Sequence, residues 1–210
     1  LQETQGDIEA AVEAMRKAGQ AKADKKASRV AAEGLIVIRQ TADAAAMVEV
    51  NCETDFVTKN DDFREFAAAV VEAVLDSDPT DLEALLALTT ANGRSIEQNR
   101  RECIAKIGEN INVRRFARLT TPSGVLGSYL HGTRIGVLVE LAGGDGDLAR
   151  DIAMHVAASR PLCVSADQVP AEQVAKEKEI FAAQAATSGK PANIVEKMVA
   201  GKLKKFVAEN

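Results

Sequence analysis

The sequence predicts an α+β fold: two related subdomains of antiparallel sheet and helix, a short helix before them and a projecting helical hairpin after them. Apolar runs of strand length alternate with amphipathic segments of helical period along the chain. A strand–strand–helix pattern also occurs twice, which indicates two similar subdomains. We place the domain boundaries where these patterns change: a short helix with a basic linker (1–30), the first core subdomain (31–120), the second core subdomain (121–170) and a coiled-coil-like hairpin (171–210).

The N-terminal segment 5–18 has helical period, with a start at Gly6–Asp7 and a stop at Gly19. Its apolar face consists of Ile8, Ala11, Val12 and Met15. The stretch Arg16–Arg29 is basic and has no interleaved aromatic residue. Two interpretations of it stay open: a solvated linker or helix face, which the composition favours, and a patch that follows a phosphate backbone.

The first core subdomain begins with two apolar runs, Leu35–Ile38 and Ala46–Val50, which predict paired strands. A helix is predicted from about Asp61 to a terminator at Asp78–Pro79. Behind it the pattern predicts three further elements: a short amphipathic helix over 82–88, a helix opened by the capping box Ser95–Gln98, and a strand over 110–120.

The second copy of the pattern has strands at Gly124–Leu126 and Ile135–Leu141, followed by a helix through Ile152. The first copy carries five more residues between its second strand and its helix, as the spacing from Glu49 to Phe66 shows against that from Glu140 to Ile152. These residues fall in the segment 51–62, where Phe56 stands among polar neighbours. An exposed aromatic in a loop is typical of a binding anchor, whereas a loop aromatic folded back on the core is the other interpretation.

Two amphipathic helices are predicted after Pro170, separated by a break at Thr187–Pro191, which is typical of an αα-hairpin. Such a hairpin either projects, to self-associate or meet a partner, or packs on its own domain.

The composition excludes several classes of function. A net charge of -5 and an aromatic fraction of 3% argue against direct nucleic-acid binding. Three cysteines make no disulfide framework and indicate a reducing compartment. No apolar run approaches the roughly 18 residues of a membrane span, and the N-terminus has no signal core. We therefore expect a cytosolic or matrix-like chain without a membrane contact.

Catalytic and cofactor motifs are weak. Gly144–Ala149 matches G-x-G-x-x-A, which leaves a nucleotide-cofactor enzyme as the alternative function, but Asp145 and Asp147 would stand where phosphates bind. Gly189–Lys190 lacks the rest of a phosphate loop. The histidines and cysteines form no close pair of metal ligands, and His155 is interpreted as a packed or interface histidine. We expect no catalytic residues, no metal, no cofactor and no enzyme activity.

The run Glu49–Lys59, with Thr-Asp-Phe-Val at its centre, resembles the elongation factor Ts family. Four further blocks match that family, so the similarity extends through the chain: Lys106–Asn112, His131–Leu138, Ile152–Ala158 and Ser188–Pro191. Thr58 departs from the family, which tends to hold Ala or Ser there. The resemblance also implies that the first 30 residues are a remnant of an N-terminal helical domain and that the chain is a core fragment without a C-terminal module.

The resemblance implies a guanine-nucleotide exchange factor whose partner is elongation factor Tu. Thr54, Asp55, Phe56 and Val57 would then form the loop that enters the partner near its bound Mg²⁺, with Phe56 as the wedge and Asp55 as the residue that fixes the angle of the loop. Ile107 and His131 match family positions that also touch the partner. The implied location is the cytoplasm of a bacterium, with an organellar matrix as the alternative.

Overall fold

A computed structural model describes residues 7–187 and 189–209, and this part of the chain contains seven α-helices and five β-strands. The helices are α1 (Ile8–Lys26), α2 (Asp61–Ser77), α3 (Leu82–Ala87), α4 (Ile96–Ile107), α5 (Gly146–Ser159), α6 (Ala171–Ala186) and α7 (Ala192–Glu209). The strands are β1 (Glu33–Gln40), β2 (Ala44–Cys52), β3 (Asn112–Thr120), β4 (Val125–His131) and β5 (Ile135–Leu141). The mixed α+β class is confirmed.

The first helix is longer than predicted. The carboxylate of Asp7 caps it by accepting a hydrogen bond from the amide of Ala10 at 3.0 Å, but the helix continues through Gly19 to Lys26. A Cβ at Gly19 would lie 3.4 Å from the Cβ of Ala105 on α4, so packing against α4 continues the helix past a residue of low helical propensity. The predicted stop at Gly19 is therefore wrong.

The basic stretch lies mainly on this helix, whose last turn carries Lys25 and Lys26. That position suits cations, because the carbonyl end of a helix is partially negative. The predicted start at Gly6 and the hairpin residue Ser188 lie outside the described residues, as do the side chains of Ala11, Arg16 and Lys22.

Strands β1, β2 and β3 form an antiparallel sheet in that order, with Leu35 opposite Val50. Alternate side chains of β1 and β2 point to one face, where α2 covers them, and α4 packs against α2 to complete the core. The largest fully buried apolar side chains are Phe63, Leu85, Ile96, Ile104, Ile111, Val48, Val50, Val70, Val71 and Val74. The predicted strand pair and the helix that follows it are confirmed.

The predicted helix ends in this region are also confirmed. Asp78 adopts a left-handed conformation (φ 47°) and ends α2. At the start of α4, the Ser95 hydroxyl accepts from the amide of Gln98 at 3.1 Å, and the Gln98 side chain accepts from the amide of Ser95 at 3.0 Å. This is the reciprocal capping box that the sequence predicts.

The second sheet, β4–β5, packs against the opposite face of the first. A Cβ at Gly136 would lie 2.5 Å from the sulfur of Met47 and 2.7 Å from Cγ2 of Ile36. The amide of Ile36 also donates to the carbonyl of Thr133 at 2.8 Å. The strand–strand–helix order therefore occurs twice, as β1–β2–α2 and as β4–β5–α5.

The chain divides into two compact units, one up to residue 157 and one from residue 158. Both sheets lie in the first unit. In the second, Lys202 of α7 donates to the side-chain oxygen of Gln184 on α6 at 2.8 Å and lies 5.5 Å from the ring centre of Phe181. These contacts fit the predicted hairpin, whose self-association stays a prediction, as do the domain boundaries. None of the described helices has the length and apolar character of a membrane span.

The three thiols differ in exposure, which leads to a prediction about their reactivity. Cys52 and Cys103 are buried, and burial is the main cause that raises the pKa of Cys52 to about 11 and of Cys103 to about 12. Cys163 is partly exposed. Because the thiolate is the reacting form, we expect iodoacetamide at pH 8 to alkylate Cys163 at least about tenfold faster than the other two.

Peptide mass spectrometry against time measures the three rates separately. In urea the three thiols should react at similar rates, which serves as the control. A Cys52 that reacts in the native protein as fast as Cys163 would contradict the buried position of Cys52.

Candidate functional site

The first copy has eight residues (53–60) between the end of β2 at Cys52 and the start of α2 at Asp61, against four (142–145) between β5 and α5. We call residues 53–60 the β2–α2 loop. Its second half is a short 3-10 helix, Val57–Lys59, and Asn60 caps α2 by accepting from the amide of Phe63 at 3.3 Å. The loop is thus a structured turn between two elements of the core.

Two adjacent apolar residues of this loop point in opposite directions. Phe56 is 78% exposed, whereas Val57 is 7% exposed and belongs to the hydrophobic core. The interpretation of Phe56 as a residue folded back on the core is therefore wrong, and Val57 fills that position instead. The ring contributes nothing to the core, and an exposed aromatic on a loop is the kind of side chain that binding anchors use.

A carboxylate from a distant part of the chain holds the first half of the loop. Oε2 of Glu109 accepts from the amide of Glu53 at 3.0 Å and from the amide of Thr54 at 2.9 Å. Oε1 accepts from the Thr54 hydroxyl at 2.6 Å. Glu109 follows Gly108, whose left-handed conformation (φ 87°) ends α4 and turns the chain toward the loop.

The second half of the loop is closed by its own backbone and by α2. The Thr58 hydroxyl and amide donate to the carbonyl of Asp55 at 2.6 and 3.2 Å. The amide of Lys59 donates to the carbonyl of Phe56 at 3.1 Å, and Nε of Arg64 donates to the carbonyl of Thr58 at 2.9 Å. Asp55 and Phe56 are thus exposed on a backbone that is bonded on both sides.

A second set of contacts connects the loop to the end of α1. Oε1 of Glu53 accepts from the amide of Asn110 at 2.7 Å, and its Oε2 lies 3.6 Å from the Arg29 guanidinium. The buried Asn110 side chain donates to the carbonyl of Arg29 at 2.7 Å. Lys26 of α1 also donates to the carbonyl of Gly108.

The predicted contact residues Ile107 and His131 belong to neighbouring elements. Ile107 is half-buried, packs against the core and ends α4 two residues before Glu109. His131 is exposed at the end of β4, and its Nδ1 shares a 3.1 Å hydrogen bond with the Tyr129 hydroxyl.

The turn after His131 lies at the same end of the first sheet as the β2–α2 loop. Arg134 of this turn lies 2.5 Å from Glu33, and Glu33 is paired with Cys52, the last residue before the loop. The structure thus places Thr54, Asp55, Phe56, Ile107 and His131 at one end of the first unit, whereas Val57 is inside its core.

The Gly144–Ala149 motif is placed unfavourably for phosphate binding. The strand before it, β5, is antiparallel to β4, whereas a dinucleotide site requires a parallel βαβ unit. Oδ1 of Asp145 accepts from the amide of Leu148 at 2.8 Å, so a carboxylate already occupies the helix N-terminus where a phosphate would bind.

Among the described residues, no group of three or more His, Cys, Asp and Glu side chains could hold a metal ion.

The sequence alone predicts no role for Glu53, Glu109 or Asn110. The signal that could have found Glu109 is its position directly after the helix-terminating Gly108, where a carboxylate is free to reach another segment. The segment that Glu109 contacts, residues 53–54, lies more than 50 residues earlier in the chain and carries no periodicity that would identify it.

Comparison with known proteins gives a consistent result. A family model described as "Elongation factor TS" matches residues 53–210. A protein named elongation factor Ts from Methylococcus capsulatus is 64% identical over 211 residues, which cover 100% of this chain and 72% of that protein.

Two further proteins of the same name agree with it. The one from Thioalkalivibrio sulfidiphilus is 60% identical over 212 residues, with 100% of this chain and 72% of that protein covered. The one from Legionella pneumophila (strain Paris) is 55% identical over 208 residues, with 98% and 71% covered.

Proposed function

Because the chain belongs to the elongation factor Ts family, we propose that it is a guanine-nucleotide exchange factor that binds elongation factor Tu and promotes the release of GDP. Membership supports a role in translation elongation, and the finer assignment rests on the β2–α2 loop. The observation that carries it is the exposure of Phe56, 78%, on a loop whose next residue is buried.

The loop suits a role as a wedge because its backbone is already ordered. Glu109 fixes residues 53 and 54, and Val57 anchors the other side in the core. A contact residue on an ordered loop loses little conformational entropy on binding, so more of its interaction energy appears as affinity. Phe56 would thus enter the partner with its backbone in place.

The proposed mechanism is a competition between two ligands of elongation factor Tu. Phe56 and Asp55 would displace side chains of the partner that help to hold its Mg²⁺, and a displaced Mg²⁺ weakens the binding of the phosphates. By linkage, GDP and the exchange factor weaken each other's binding by the same factor. A thousandfold effect requires about 4 kcal/mol of coupling.

A single phenylalanine supplies part of this coupling. Burying one exposed Phe side chain is worth about 1.5–3 kcal/mol, so other contacts at the same end of the unit must add to it. Asp55, the exposed edge of Ile107 and His131 are the proposed sources. Thr54 and Val57 would hold the loop in place and not contact the partner, because Thr54 is bonded to Glu109 and Val57 is buried.

This mechanism makes and breaks no covalent bond, so it needs neither a catalytic base nor a cofactor in this chain. We place the activity in the cytoplasm, where translation elongation takes place. Asp145 argues against the alternative, a nucleotide-cofactor enzyme, because it caps the helix that would have to bind the phosphates.

The experiment is GDP release from purified elongation factor Tu. The partner is loaded with a fluorescent GDP analogue and mixed with excess unlabelled GDP, with and without this chain, at free Mg²⁺ in the millimolar range. We expect the chain to accelerate release in a saturable manner. The proposal would be refuted by an unchanged release rate at a saturating concentration of this chain, together with no complex in size-exclusion chromatography.

A further inference from the structure

The network at the base of the β2–α2 loop points to a residue whose role goes beyond the wedge itself. We propose that Glu109 is a positioning residue for nucleotide exchange, which sets the angle of the loop and thereby the position of Phe56. This inference rests on the proposed function for its kinetic consequence, but its structural part concerns this chain alone.

The first argument is the geometry of the Glu109 carboxylate. Both of its oxygens are used by the loop, through the amides of Glu53 and Thr54 and the Thr54 hydroxyl, at 2.6–3.0 Å. Hydrogen bonds to a charged acceptor are stronger than those between neutral groups. All three donors lie two or three residues before Phe56, so they restrain the backbone that leads to the exposed ring.

The second argument is that Glu109 itself sits on a fixed support. It lies between Gly108, whose carbonyl accepts from Lys26, and Asn110, which is 0% exposed. Asn110 donates from its backbone to Glu53 and from its side chain to the carbonyl of Arg29. Through Glu109 and Asn110, the loop is therefore connected to the C-terminal end of α1 as well as to α4.

The third argument concerns what else could hold the loop on this side. The thiol of Cys52 donates to the carbonyl of Thr54 at 3.1 Å, which is a weak hydrogen bond. The adjacent amides of Glu53 and Thr54 would lose their strongest acceptor if Glu109 were truncated. The loop would then sample more conformations, and Phe56 would reach the partner from a wider range of angles.

The test uses two substitutions at one position. Glu109→Ala removes all three contacts, whereas Glu109→Gln can keep them, because its oxygen can accept from the two amides and its NH₂ group can donate to the Thr54 hydroxyl. We expect Glu109→Ala to lower the maximal rate of stimulated GDP release about tenfold, as a loop that holds Phe56 at the productive angle for about a tenth of the time would give. Glu109→Gln should remain within about threefold of wild type.

A double substitution separates positioning from direct contact. If Glu109 acts only through the loop, the variant that combines Glu109→Ala with Phe56→Ala should lose clearly less than the product of the two single losses, because only the position of Asp55 is left to be disturbed. Additive losses would show that Glu109 touches the partner itself and would overturn the proposal. Equal losses for Glu109→Ala and Glu109→Gln would also overturn it, since charge rather than loop geometry would then matter.

Glu72→Ala is the matched control, because Glu72 pairs with Arg39 at 2.7 Å on the exposed side of α2 and has no bond to the loop among the contacts described. It should release GDP at the wild-type rate. A wild-type rate for Glu109→Ala, measured beside an impaired Phe56→Ala, would overturn the positioning role and leave the proposed function intact.

Amide hydrogen exchange of the chain alone keeps the two proposals distinguishable. We expect the amides of Glu53 and Thr54 to exchange at least about tenfold faster in Glu109→Ala than in wild type, and Glu109→Gln to retain most of the protection. If wild type fails to stimulate release, the proposed function fails and this measurement still decides the positioning role. Unchanged exchange at residues 53 and 54 would overturn it.

Discussion

Phe56→Ala is expected to lower the stimulated release of GDP from elongation factor Tu by about 30-fold, while the free energy of unfolding changes by less than about 0.5 kcal/mol. The two effects separate because the ring is 78% exposed. Its removal costs the core no contact, whereas an aromatic anchor at the centre of an interface contributes about 2 kcal/mol or more to binding. Stopped-flow fluorescence measures the first effect and urea unfolding the second.

The neighbouring residue provides the matched control. Val57 is 7% exposed, so Val57→Ala should destabilise the fold by about 2 kcal/mol through the lost methyl groups and the cavity. At a temperature where this variant is still folded, its release rate should fall less than that of Phe56→Ala. If Phe56→Ala releases GDP at the wild-type rate, the wedge role is wrong.

Much of the fold could be predicted from the sequence, because its elements have regular periods and clear ends. The strand pair β1–β2 and the helix α2 follow from apolar spacing, and the start of α4 follows from the spacing of Ser95 and Gln98. These signals depend on residues close together in the sequence, so contacts with distant parts of the chain change the predicted elements little. The length of α1 could not be predicted, since its continuation through Gly19 depends on contact with Ala105.

The candidate site was predictable in its location but not in its construction. Five extra residues and one misplaced aromatic mark the loop in the sequence. Whether Phe56 or Val57 is buried depends on the backbone conformation of the short 3-10 helix. A loop sequence has no hydrophobic period that would predict this conformation. Glu109 acts across more than 50 residues through hydrogen bonds to backbone amides, and any sequence offers such donors.

Gly34→Ala is expected to cause the largest loss of stability among the substitutions considered. Gly34 lies in β1 opposite Asn51, with φ 150°, a conformation that residues with a side chain rarely adopt. A Cβ there would lie 2.2 Å from the carbonyl oxygen of Val50 and 2.7 Å from Cα of Asn51. Both atoms are backbone, so β1 and β2 must separate locally, at a cost of about 3 kcal/mol or more.

Urea unfolding followed by circular dichroism measures this loss, and Gly143→Ala is its control, because a Cβ at Gly143 would meet nothing within 4 Å. The control should stay within about 0.5 kcal/mol of wild type, and an equally small change for Gly34→Ala would contradict the close approach of β1 and β2.

Asn51, whose side chain donates to the carbonyl of Glu33 at 3.1 Å, stands two residues before the β2–α2 loop. Separation of the strands at Gly34 would therefore displace the base of the loop, so we expect the folded fraction of this variant to stimulate GDP release more slowly as well.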